Sequence, residues 1–193
     1  MPTHFYIFRH GQCPLNITDH IQGRKFNGNL TDVGKQQAFQ TAQKLKNKQI
    51  SLIVSSPLNR ALQTAKIVAD IINAPIYVDH RFIEVNMGIV EGMHISTLEK
   101  TYPLLYRKWR NEPLSQIKFD GGESKLDVRK RILSGINHYA TQTTHHNIGI
   151  SSHGIAISQI MQYLGKNCSS ISNGAILHIS HQNNQLIYHD LLN

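Results

Sequence analysis

The chain reads as an α/β domain, a three-layer α/β/α sandwich around a mostly parallel sheet. Three observations predict this. Short apolar runs alternate with amphipathic helical stretches along most of the 193 residues. Runs such as Phe5-Tyr6-Ile7-Phe8 and Leu52-Ile53-Val54 are apolar throughout, as in strands covered on both faces. The length suits one well-buried domain over 1–193, with no repeat, low-complexity tract or linker.

Each element has its own reason. The first strand covers His4 to Phe8 and ends in Arg9-His10-Gly11-Gln12, followed by a polar loop to Asn29. Thr31 is placed as the N-cap of a helix reaching about Lys48, with Asp32 favouring its dipole. Val33, Ala38, Ala42 and Leu45 form its apolar stripe. Ser51 to Ser55 is a second strand. Ser56 reads as an N-cap and Pro57 as the first position of a helix carrying Leu58, Ala61, Leu62, Ala65, Val68, Ala69 and Ile72. Ala74-Pro75 stops it, and Ile76-Tyr77-Val78 is a third strand. The chain from Asp79 to Gly92 reads as irregular. Short helices are expected at His94–Tyr102 and Leu104–Asn111, up to Pro113. Gly121-Gly122-Glu123-Ser124 turns into a helix to about Tyr139. Asn147–Ser152 is a fourth strand, and His153-Gly154 opens a helix bearing Ile155, Ile160, Met161 and Leu164. Ala175–Ser180 and Gln185–Asp190 close the chain as a hairpin about Asn183-Asn184. Residues 92–122 interrupt the alternation, which predicts a lid-like insertion over one end of the sheet.

Composition narrows the function classes. No apolar run approaches the roughly 18–20 residues of a membrane span, so no membrane association is expected. No signal peptide is read, and a cytoplasmic location is the default. Cys13 and Cys168 give neither a disulfide framework nor a metal-ligand spacing. Among the 12 histidines, His145-His146 and the set His178, His181, His189 show no ligand pattern, so no metal is expected. The net charge is +8. The basic groups at 44–48 and 125–131 read as solvated helix faces. A basic protein can bind nucleic acid, but no nucleic-acid motif accompanies these groups and no such partner is expected; a basic field around a pocket would equally steer small anionic substrates.

Ligands of such sheets bind beyond the carboxyl ends of the strands. His10 ends the first strand, Arg60 lies one turn into the helix after the second, and His153 ends the fourth. Arg9 adjoins His10. Two guanidinium groups and two imidazoles at one edge have the composition of a phosphoryl site.

Further blocks stand in order: Arg9-His10-Gly11-Gln12, Asn16, Gln22-Gly23, Leu30-Thr31 with Gly34, Ser55-Ser56-Pro57 with Arg60-Ala61 and Thr64-Ala65, Glu84 with Gly88 and Glu91-Gly92, Gly121-Gly122-Glu123-Ser124, and Ser152-His153-Gly154. This pattern resembles the histidine phosphatase (phosphoglycerate mutase-like) superfamily. The resemblance implies that His10 is a nucleophile forming a phosphohistidine, with one ring nitrogen unprotonated and the other bonded to a backbone carbonyl. It implies that Arg9, Arg60 and His153 bind the phosphoryl oxygens, helped by Asn16, Gln22, Gly23 and the Gly154 amide. Glu84 would protonate the leaving oxygen and then activate water, while Glu91 would support the loop. No metal or organic cofactor is implied.

Two departures stand out. Cys13 replaces the family's usual Thr, and Arg24–Asn29 lacks the usual Asp and Pro; its cations are expected in solvent. Val85-Asn86-Met87-Gly88 followed by Glu91-Gly92 is similar to the phosphatase branch rather than the mutases. The reading is a phosphomonoesterase for small phosphorylated metabolites, with oligomeric state open. The alternatives are mutase-type phosphoryl transfer and a phospho-ligand binder without turnover. Arg107, Lys108 and Arg110 are candidates for a second anionic group on the substrate, or else an outward, solvated face of a helix with Trp109 inward.

Overall fold

A computed structural model describes residues 1–112, 116–167 and 170–193. The expected helix stop at Pro113 and the second cysteine, Cys168, lie outside the described residues. In chain order the elements are β1 (Thr3–Arg9), α1 (Pro14–Ile17), α2 (Asp32–Leu45), β2 (Leu52–Ser55), α3 (Asn59–Ile72), β3 (Ile76–Val78), α4 (Ile95–Thr101), α5 (Pro103–Asn111), α6 (Lys125–Thr141), β4 (Asn147–Ser152), α7 (Gly154–Tyr163), β5 (Ile176–Gln182) and β6 (Gln185–Leu192). Two 3₁₀ turns, His80–Phe82 and Gly88–Val90, lie in the stretch read as irregular.

The strands form one sheet in the order β3-β2-β4-β1-β5-β6. β1 to β4 run parallel, and β5 and β6 add an antiparallel edge. Alternation along β1 sends Phe5 and Ile7 to one face and Tyr6 and Phe8 to the other. Phe5 and Ile7 pack with Val128, Ile132 and Ile136 of α6 and Ala156, Ile157 and Ile160 of α7. Tyr6 and Phe8 pack with Ala42 and Leu45 of α2 and Ala65 and Val68 of α3. These are the three layers the sequence predicts. Each fully buried Phe or Ile contributes about 1.5–3 kcal/mol. Leu98 of α4 and Trp109 of α5 join the first of these cores.

Local signals explain most boundaries. The Thr31 hydroxyl caps α2 by accepting from the Gly34 amide. Ser124 and Asp127 make a capping box at the start of α6. Asn183 and Asn184, at φ 51° and 61°, supply the left-handed pair a tight hairpin needs.

Several expectations are corrected. α3 starts at Asn59, with Leu58 as its N-cap, because the Ser56 hydroxyl lies 2.7 Å from His153 Nε2 and Pro57 sits in the bend before the helix. Val33 is exposed, because the buried face of α2 is set by Gly34, Ala38, Thr41, Ala42 and Leu45. α2 also stops at Leu45, short of Lys48. The polar loop contains α1, started by Pro14. The 125–131 group is no solvated face: Lys125 and Arg129 are buried, and Arg131 is tied into the protein.

Candidate active site

Three strand ends meet. The His10 amide donates to Ser152 O at 3.0 Å and the Ser56 amide to Ser151 O at 3.0 Å. The residues after β1, β2 and β4 therefore share one edge. His10 is buried, and its ring meets that of His153 edge-on at 5.1 Å.

The proton on His10 is fixed by its neighbours. Its Nδ1 lies 2.7 Å from the Gly11 carbonyl, which can only accept, so Nδ1 carries the hydrogen. Nε2 then holds a lone pair, and Arg60 Nε–H donates to it at 3.2 Å. Burial, reinforced by Arg60 and Arg9, holds the His10 pKa well below the usual imidazole range. Burial and the same cations do so for His153. Gly11 is required by contact: a Cβ there would fall 2.1 Å from Gly34 O.

Among the described residues, neither Arg9 nor Arg60 has a carboxylate partner at ion-pair distance. Arg60, from the first turn of α3, donates to Gly23 O at 2.8 Å and Phe26 O at 3.0 Å. Arg9 donates to Ile171 O. Among the described residues, Arg9 Nε and His153 Nδ1 are buried with no hydrogen-bond partner. An unsatisfied buried donor costs about 1–3 kcal/mol. An anion bound in front of Arg9 would restore the bond its Nε lacks, which gives the edge the make-up of a candidate anion site.

Glu84 completes it. Its carboxylate accepts from the Ile155 and Ala156 amides of α7 at 3.2 Å each and from the Val85 amide at 2.9 Å. Its backbone carbonyl accepts from Arg24 Nε at 2.7 Å and from Arg131 at 3.1 Å. Glu123 pairs with both of these arginines, at 2.6 Å and 2.8 Å. Arg24 is therefore an internal strut, which corrects the expectation that it lies in solvent. Arg131 further holds the Arg81 and Ile83 carbonyls. Glu91 accepts from the amides of Arg24, Lys25 and Met87, the loop support expected of it.

A cavity of about 440 Å³ opens over this edge. Its wall includes Arg9, His10, Asn16, Gln22, Gly23, Arg60, Glu84 and Gly154, so the fold collects every predicted site residue there except His153. His153 is fully buried and touches the site through His10. Asn16 Oδ1 accepts from the Cys13 amide at 3.0 Å and lies 3.1 Å from its thiol, leaving the Asn16 NH₂ as the donor for a ligand. Cys13 Sγ also lies 3.1 Å from Gln22 Oε1, and burial raises its pKa. From the segment 92–122, Ile95, Tyr106, Trp109 and Arg110 reach the wall, as does Lys125. Arg107 instead lines a separate groove with Glu99 and Pro103, and Lys108 lines neither.

Sequence reasoning missed four contributors. Arg131 reads as one more basic helix residue, and Glu123 as part of a turn motif. Ser56, standing before a proline, reads as a cap. Asn173, whose Nδ2 donates to His10 O at 2.9 Å, gave no signal.

Fold and site together define an α/β protein whose sheet edge gathers two arginines around a lone-pair-bearing histidine. The chain belongs to the histidine phosphatase superfamily (branch 1), whose family model matches residues 5–188. It is 32% identical over 156 residues to a protein of Proteus mirabilis (strain HI4320) described as probable phosphoglycerate mutase GpmB, covering 81% of this chain and 72% of that one. The protein of the same description from Yersinia pestis (strain Pestoides F) is 30% identical over 162 residues, covering 82% and 73%. Among solved structures, mycobacterial glucosyl-3-phosphoglycerate phosphatase with VO3 superposes with a TM-score of 0.88 at 24% identity, covering 99% of this chain and 98% of that one. A putative alpha-ribazole-5'-P phosphatase from Escherichia coli str. K-12 substr. MG1655 gives 0.83 at 22%, covering 99% and 96%. Among the described residues, no helix is long and apolar enough to cross a membrane.

Proposed function

We propose that this protein is a phosphomonoesterase for small phosphorylated metabolites, working through a phosphohistidine on His10. The observation that carries this reading is the state of His10. Its Nδ1–H is locked onto Gly11 O, and its Nε2 lone pair is turned toward Arg60, in the wall of a cavity also lined by Arg9, whose Nε has no partner among the described residues.

The steps follow. A phosphoryl oxygen takes over the Arg60 N–H, which frees the Nε2 lone pair. Nε2 attacks phosphorus as the ester P–O bond breaks. Glu84, in its carboxylic acid form, gives its proton to the departing oxygen. Water then attacks the phosphorus while the Glu84 carboxylate takes the water proton. The N–P bond breaks, and inorganic phosphate leaves. Arg9, Arg60 and the Asn16 NH₂ hold the charge that builds on the equatorial oxygens, and His153 backs His10. No step calls for a metal or organic cofactor.

The segment 92–122 acts as the cover of the site and helps choose the substrate. Arg110 and Lys125 share the cavity with the phosphoryl site, yet they add to its positive charge. Lys125 is buried, donates to Arg110 O at 3.0 Å and lies 4.5 Å from the Trp109 ring centroid. Burial, with Arg110 nearby, lowers its pKa to about 8. These cations favour a monoester bearing a second anionic group.

The experiment is hydrolysis of p-nitrophenyl phosphate and of a panel of phosphorylated metabolites. Phosphate release abolished by His10→Ala supports the reading. Interconversion of 2- and 3-phosphoglycerate without net phosphate release would favour phosphoryl transfer, the activity in the description of the 30–32% identical relatives. Tight phosphate binding without turnover would make the protein a binder.

A further inference from the structure

Far from the cavity, the sheet gathers three histidines that no sequence spacing connects. His4 lies on β1, His178 on β5 and His189 on β6, three strands adjacent in the sheet. One ligand nitrogen from each lies within 4.8 Å of the others. His4 Nδ1 and His178 Nε2 are 3.1 Å apart. Two nitrogens bound to one tetrahedral Zn²⁺ at about 2.0–2.1 Å would stand roughly 3.4 Å apart.

The backbone makes this meeting possible. His178 pairs with Asp190, and the next residue, Ile179, pairs with Tyr188, so His189 is the extra residue of a β-bulge. A bulge re-aims a side chain that strict alternation would send elsewhere. Here it brings His189 onto the face of His178, where their rings stack at 4.4 Å. Reading spacings among His178, His181 and His189 could not find the set, because its third member comes from the first strand.

The surroundings suit a cation. The three ligand nitrogens face one another between the strands, with the His4 and His178 rings half-buried and that of His189 open to solvent, so an ion could enter from that side. Tyr6 stacks on His178 at 4.5 Å, and the Ser180 hydroxyl lies 2.8 Å from His189 Nε2, fixing ring orientations from outside as second-shell groups do. Asp190 is paired with His178 and supplies negative charge, while Lys48 is the opposing cation nearby.

We propose that His4, His178 and His189 form a site for one divalent first-row cation of the imidazole-preferring kind, such as Zn²⁺, which clips the antiparallel edge β5–β6 to β1. About 3.3 Å per residue along β1 sets His4 roughly 20 Å from His10, so this site is separate from the phosphoryl site.

The test uses the full chain without an affinity tag, titrated with Zn²⁺ by calorimetry, and with Cu²⁺ followed by nitrogen splittings in electron paramagnetic resonance. The His10→Ala chain serves as background, to remove metal held at the other histidine pair. Expected is one equivalent bound in this background. Adding His178→Ala or His189→Gln should weaken it roughly tenfold or more. Zn²⁺ should raise the melting temperature of the His10→Ala chain but not of the chain also carrying His189→Gln. His189 is exposed, so that variant keeps its fold, checked by circular dichroism. The proposal is overturned by an absence of stoichiometric binding, or by binding that both substitutions leave intact.

Discussion

Arg131→Met tests the idea that the acid is held in place through its backbone. The substitution keeps an apolar stem of similar reach and removes only the guanidinium. That group donates to the carbonyls of Arg81, Ile83 and Glu84 at 2.6 to 3.1 Å and pairs with Glu123 at 2.8 Å. Hydrogen bonds to a charged group contribute about 1.5–3 kcal/mol each. The freed carbonyls rehydrate in part and Glu123 keeps Arg24, so a stability loss of about 2–4 kcal/mol is expected. The kinetic effect is separable. A misplacement of about 1 Å costs on the order of 10²-fold, within the roughly 10²–10⁴-fold that acid–base help supplies. The loss must depend on the leaving group, because p-nitrophenolate departs with little protonation and an alkoxide does not. Measuring kcat for p-nitrophenyl phosphate and an alkyl phosphate side by side gives the answer. The expected result is a kcat loss of about 10²-fold for the alkyl ester and a clearly smaller one for the aryl ester. Equal losses, or a change confined to KM, would refute the reasoning.

Other predictions follow from single contacts. Gly11→Ala puts a Cβ 2.1 Å from Gly34 O, a backbone atom with little room to shift, and should cost at least about 1–3 kcal/mol by urea denaturation together with much of the turnover. His10 and His153 have depressed pKa values in the folded state, so below about pH 6.5 the unfolded chain binds protons that the native chain refuses. Stability should fall from about pH 6.5 toward those lower values, and His153→Gln should flatten that slope in urea midpoints; an unaltered slope would remove His153 from the explanation. Cys13→Thr replaces a weak donor facing Asn16 and Gln22 with a stronger one and should leave stability within about 1 kcal/mol and turnover largely intact. A severe loss there would show that Cys13 has a role of its own.

What the sequence made legible depended on whether a signal was local. The Thr31 cap, the turn at Gly121–Ser124 that leads into α6 and the Asn183-Asn184 turn are local chemistry, and all three appear as read. The strand ends that carry His10 and His153 follow from apolar runs and from the rule for where ligands bind such sheets. Ser56 misled because a serine before a proline reads as a cap, and only the sheet reveals that His153 claims its hydroxyl. Arg24 and Arg131 misled in the same way. A basic residue reads as solvated until a partner is known, and theirs, Glu123 and the Glu84 carbonyl, lie far off in sequence. The His4, His178 and His189 cluster needed both a long-range pairing and a bulge, neither of which periodicity carries.

The central claim is that the His10 Nε2 lone pair takes the phosphoryl group. Rapid quench of the full chain with ³²P-labelled substrate, under alkaline conditions that preserve phosphohistidine, measures this directly. The expected result is one labelled histidine per chain, mapped to His10, that forms before phosphate is released, accumulates further in Glu84→Gln, and is absent in His10→Ala. Turnover that leaves no label on His10 at any time in either the native chain or Glu84→Gln would contradict the account.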